Sequence, residues 1–160
     1  MSPLGDTLSE LQRYGRVQNS FNKKKKSNDI YGYEIREPYD SELQYFKQNP
    51  NIGGMATEDN RVILNPFSRL NEQQKNTVAL NEAIRLFLKE KKYNYDFDVT
   101  SEQIDIFRNT PYGNPENINS LKETILGRII TQDPSIGVPT EEQRRWADRI
   151  FLELKKNKTK

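Results

Sequence analysis

Three times along this chain, a residue able to cap a helix is followed three positions later by glutamine, and each time an amphipathic run comes next. Asn71-Glu-Gln-Gln74, Thr100-Ser-Glu-Gln103 and Thr140-Glu-Glu-Gln143 all have the capping-box form. In such a box the first side chain accepts from the backbone N–H three residues on, and the glutamine reaches back to the first residue's own N–H. The apolar residues that follow recur with the helical period. Leu80, Ala83, Ile84, Phe87 and Leu88 line one side of a helix over 72–91. The second start turns Ile104 and Phe107 inward, and the third puts Trp146, Ala147, Ile150, Phe151 and Leu154 on one face. Between them Ile118, Leu121, Ile125 and Ile129 form a stripe on a helix over about 117–131.

The rest is less regular. Residues 53–66 read as a β-hairpin, with strands Met55-Ala56-Thr57 and Val62-Ile63-Leu64 around the polar turn of residues 58–61. Residues 31–50 concentrate aromatics, with Tyr31, Tyr33, Tyr39, Tyr45 and Phe46 suited to a core or a protein interface. Asp40 or Ser41 is positioned to cap a short helix ending near Gln48, and residues 96–99 read as an extended connector. The expected fold class is mostly α (α+β): a compact helical body of about four to five helices, one small β-hairpin and an extended N-terminal arm. The expected divisions are a basic arm over 1–30, a single mainly helical domain over 31–154 and a basic tail over 155–160.

Charge is unevenly placed. Residues 1–28 hold six basic residues against two acidic, and residues 151–160 hold four against one. The segment between is acidic, with 15 basic and 20 acidic residues. Basic ends suit an acidic partner, either nucleic acid or an acidic protein face. In the arm, Leu8, Leu11, Tyr14 and Phe21 are candidate partner contacts, followed by the run Lys23, Lys24, Lys25, Lys26. That run and Lys155 and Lys156 are the candidate nucleic-acid contacts. The mean hydropathy of −0.96 fits a chain that relies on a partner to bury part of its surface. No apolar run is long enough to span a bilayer and the N-terminus lacks a signal-peptide core, so the expected location is inside a cell or in an assembly built inside one.

Chemistry is constrained by what is missing. The chain has no cysteine and no histidine, which removes thiolate chemistry, the usual general base and the usual zinc ligand. The pentad Asn81-Glu82-Ala83-Ile84-Arg85 stands where a zinc peptidase would carry H-E-x-x-H, on a helix after a hydrophobic strand. Its glutamate is in place, but asparagine and a permanently charged arginine replace the two ligands. Asn81, Glu82 and Arg85 are therefore a structural helix face, with Glu82 and Arg85 as an i, i+3 pair, or a vestigial site. Asp96, Asp98 and Glu102 offer carboxylates for Mg²⁺ but read better as a solvated connector, and no phosphate-binding glycine motif occurs. No metal, cofactor, membrane or small-molecule substrate is expected.

Residues 53–151 carry a set of short motifs: Asn65-Pro66-x-Ser68, Asn81-Glu82-Ala83-x-Arg85, Asp96-Phe97, Thr100-x-x-Gln103, Thr124-Ile125-x-x-Arg128-Ile129, Asp133-Pro134-Ser135 and Thr140-x-x-Gln143. With these the chain resembles a family of small uncharacterised proteins from tailed bacteriophages and from marine and environmental sequences. The resemblance implies a phage-encoded protein carried in the virion and brings no mechanism with it. The expected function is non-enzymatic: a virion-associated structural or interaction component that binds other phage protein subunits, in multiple copies. Two alternatives stand beside it. One is a nucleic-acid-associated or regulatory phage protein acting through its lysine-rich ends. The other is a degenerate, metal-free zincin-like domain.

Overall fold

A computed structural model describes residues 28–110 and 115–157. The expected arm contacts Leu8, Leu11, Tyr14 and Phe21 and the run Lys23–Lys26 lie outside the described residues. The elements in chain order are strands β1 (Asp29–Ile30) and β2 (Tyr33–Glu34), helix α1 (Asp40–Gln48), strands β3 (Gly54–Ala56) and β4 (Val62–Leu64), and helices α2 (Glu72–Lys91), α3 (Ser101–Phe107), α4 (Ile118–Ile130) and α5 (Glu141–Lys155). One-turn 3₁₀ helices precede α4 at Pro115–Asn117 and follow it at Pro134–Ile136. The fold is mostly α with small β-hairpins, and α2 starts and stops where its cap and period place it. The chain divides into two compact units, one up to Leu86 and one over Phe87–Asn157.

In the first unit, two antiparallel pairs organise the chain. β1 pairs β2 through a two-residue turn in which Tyr31 and Gly32 both have positive φ, 48° and 90°. A type I′ turn demands that geometry, and Asn-Gly or Gly-Gly is its usual signal. Tyr-Gly gives no such cue, and the arm boundary expected at residue 30 falls inside this hairpin. β3 pairs β4 with Met55 opposite Ile63, and the Thr57 hydroxyl closes the turn by accepting from the Arg61 N–H at 2.9 Å. Ile35 bridges to Val62 on the other edge of β4, and Val62, Ile63 and Leu64 are all buried rather than alternating. Gly54 is required here: a Cβ would stand 2.7 Å from the Ile63 carbonyl oxygen.

Helix α1 begins at Asp40, one position earlier than a cap at Asp40 or Ser41 allows. Its first turn is held by the Glu42 carboxylate, which accepts from the Tyr39 N–H at 2.8 Å. Beyond α1, the fully buried Asn65 satisfies its amide three ways. Its Nδ2 donates to the carbonyls of Asn49 and Ile52, and its Oδ1 accepts from the Phe67 N–H. The Asn71 cap forms as expected: Gln74 N–H donates to Asn71 Oδ1 at 2.8 Å and Asn71 N–H to Gln74 Oε1 at 2.9 Å.

In the second unit, Lys92 at φ 53° ends α2, and residues 93–99 run extended. Burial alternates there: Tyr95 and Phe97 point in, Asn94, Asp96 and Asp98 point out. Their rings meet Trp146 of α5 at 5.6 and 6.3 Å, and Tyr93 meets it edge-on at 6.0 Å. A neighbouring cluster joins Phe107, Leu121, Ile125 and Ile136, with Val99 and Ile129 against it.

Two stripe assignments need correction. Ile104 is 44% exposed and Ile118 41% exposed. On α3 the inward residues are Gln103 and Phe107, one helical turn apart. The cause lies in the caps. Both threonine boxes form, and their two glutamines then bond to each other, at 2.8 Å from Gln103 Nε2 to Gln143 Oε1 and 2.9 Å in return. Gln143 Nε2 also donates to the Asp98 carbonyl at 2.9 Å. Turning Gln103 into the core rotates Ile104 out. Trp146 and Phe151 are only half-buried on α5, where Ala147, Ile150 and Leu154 form the buried face.

Candidate functional site

The first unit carries a surface recess of about 630 Å³ between the start of α1 and the β3–β4 turn. Its floor is ionic. Arg36 leaves the strand-like segment through its N–H bond to the Val62 carbonyl, 3.0 Å long, and its guanidinium meets Glu42 of α1 in a bidentate pair at 2.8 and 2.9 Å. The same guanidinium reaches Asp59 at 3.4 Å and the Glu37 carbonyl at 3.0 Å. Asp59 in turn pairs with Arg61 at 3.0 Å, and Arg61 with Glu34 at 2.6 Å. Five alternating charges thus run from Glu34 to Glu42.

The consequences for protonation follow from these bonds. The hydrogen bonds from Arg36 hold the Glu42 carboxyl below the usual glutamate range and raise Arg36 itself further. Asp59 is lowered to about 2, first by the Thr57 hydroxyl and then by Arg36. The guanidinium carbon of Arg36 sits 3.8 Å from the centroid of the Tyr39 ring. That stacking fixes a tyrosine that is 59% exposed at the mouth of the recess. Arg36 Nε is buried without an acceptor among the described residues.

None of these residues stands out as a site in the sequence. The tyrosine enrichment was the available signal, and an interface was one of its two readings. The structure divides it: Tyr33 and Phe46 are buried, Tyr39 and Tyr45 exposed.

The Asn81-Glu82-Arg85 face lies on α2 in the same unit. Glu82 and Arg85 pair at 3.5 Å. Residues 53 and 57 bond toward β4, so Ala56 faces away from it. The Ala56 backbone lies close enough to the Glu82 carboxylate to favour its charged form. Burial pushes the Glu82 carboxyl up, with Arg85 and Ala56 opposing.

In the second unit, Lys155 and Lys156 stand exposed at the end of α5, below Arg145 and Arg149, which pair with Glu141 and Glu153 at 3.4 and 3.5 Å. Asp96 accepts from the Trp146 indole N–H at 2.9 Å, and Glu102 accepts from the Val138 N–H at 3.4 Å. Among the described residues no group of three or more carboxylates is placed to hold a metal ion, and no helix is long and apolar enough to cross a membrane. No family model, curated protein or solved structure matches the chain.

Proposed function

We propose that this protein acts without catalysis, by binding other protein subunits, and that those subunits belong to the tailed-phage particle its motifs resemble. The observation that carries the reading is Tyr39: an exposed aromatic held against Arg36, itself fixed by Glu42 and Asp59. Tyrosine and arginine dominate binding energy at protein interfaces, and a side chain fixed before docking loses less entropy on binding. Tyr39→Ala should reduce incorporation into purified particles about tenfold, equivalent to about 1.4 kcal/mol of docking energy, with an unchanged melting temperature. Absence of the wild-type protein from purified particles would sink the proposal.

Nucleic-acid binding is the second reading, and the exposed pair Lys155–Lys156 favours it. It predicts binding that weakens steeply with added salt and is lost when Lys23–Lys26 and Lys155–Lys156 are replaced by glutamine. Retention of that binding by the substituted protein would dismiss it.

A further inference from the structure

We infer that the recess beside Tyr39 receives a lysine or arginine side chain from a basic segment of a different protein. The inference rests on the docking reading above and specifies the partner's chemistry. Charge is the first argument. The chain of ion pairs joins three carboxylates, Glu34, Asp59 and Glu42, to two guanidiniums, Arg61 and Arg36, leaving one negative charge over. Glu58 adds another. It is exposed on the recess wall and makes no hydrogen bond or ion pair among the described residues. Both arginines are already engaged, so the site has no spare cation with which to attract an acidic partner.

Shape and polarity give the second argument. The half-buried Met55 and Ala56 line the recess between Tyr39 and Glu58. A lysine or arginine has an aliphatic stem and a charged head, and lays the stem on apolar surface while the head stays polar. Met55 and the ring of Tyr39 suit the stem, and the carboxylate of Glu58 suits the head.

The test uses the full-length chain and short fluorescent peptides with a single central lysine, arginine, norleucine or glutamate in a constant aliphatic background. A peptide of residues 19–29 of this chain, which contains Lys23–Lys26, is run beside them. The lysine and arginine peptides should bind about tenfold more tightly than the norleucine peptide, a difference that Glu58→Gln removes. Glu141→Gln, an exposed glutamate of the second unit, should leave that difference intact. Equal binding of all four peptides, tighter binding of the glutamate peptide, or a lysine preference that survives Glu58→Gln overturns the inference. Tightest binding of the 19–29 peptide overturns it too, because the occupant would then be this chain's own basic segment, from the same or another copy, and not a different protein. If Tyr39→Ala blocks particle incorporation while the peptides show no basic preference, the docking function stands and only the partner's chemistry is wrong.

Discussion

Gln143 uses every hydrogen-bonding position its carboxamide has. Its oxygen accepts from the Thr140 N–H and from Gln103, and its nitrogen donates to the Asp98 carbonyl and to Gln103. The sequence shows that each glutamine reaches back to its own cap, but not that the two caps share their glutamines. Replacing Gln143 by leucine leaves the buried Gln103 amide and the Asp98 carbonyl without this partner and opens a cap, which should cost about 2–4 kcal/mol in urea unfolding. The double variant Gln103→Leu/Gln143→Leu should cost less than the sum of the singles by about 1 kcal/mol or more, because the second change orphans fewer groups. Strict additivity would show that the pair is not coupled. Protonation offers a second residue-scale test. Glu82 has a raised carboxyl, so the folded state binds its proton first, and stability should rise as pH falls from neutrality toward the ordinary glutamate value of ~4.3. Asp59 and Glu42 have lowered carboxyls, so their contribution is complete above the ordinary carboxylate values and is lost as pH drops from about 4 toward the Asp59 value of about 2. Melting temperature against pH should therefore pass through a maximum on the acid side, and Glu82→Gln should remove the rise without removing the acid loss.

Elements differ in how much of themselves they announce. α2, α3 and α5 were legible because a capping box is a local device: its donors and acceptors lie within four residues. Removing one should have a local cost, and Asn71→Ala should lower stability by about 1 kcal/mol in the same unfolding assay. The β3–β4 hairpin was legible from its apolar triplet and polar turn. The β1–β2 hairpin was not, because its turn forces the non-glycine Tyr31 into positive φ, which the surrounding fold must impose. Gly54 belongs to neither kind of signal. Gly54→Ala places a methyl 2.7 Å from a backbone oxygen and 2.9 Å from Val78, and should cost about 1–3 kcal/mol by forcing the strands apart. Wild-type stability in that variant would show that β3 shifts freely.

For the molecule as a whole, two compact units share one helix, and each has its own buried centre: Phe46 and the β4 triplet in the first, Phe97, Ile125 and Ile150 in the second. Phe97→Ala should destabilise by about 3–5 kcal/mol, measured by denaturant midpoint, since the ring is 1% exposed and packs on Tyr95 and Trp146. The sequence by itself determined the class of the fold, the starts of α2, α3 and α5 and the hairpin over 53–66, because hydrophobic period and capping act over a few residues. It also determined which residue types were available for chemistry. Only the tertiary structure decided that Gln103 faces in and Ile104 out, that Glu82 is largely buried beside Arg85, and that Arg36 binds Glu42 and Asp59 beneath Tyr39. Arg36 and Asp59 stand 23 positions apart, and Gln103 and Gln143 stand 40 apart. A periodicity reads neighbours on one element, while side chains that far apart meet only when the packing of several elements places them together.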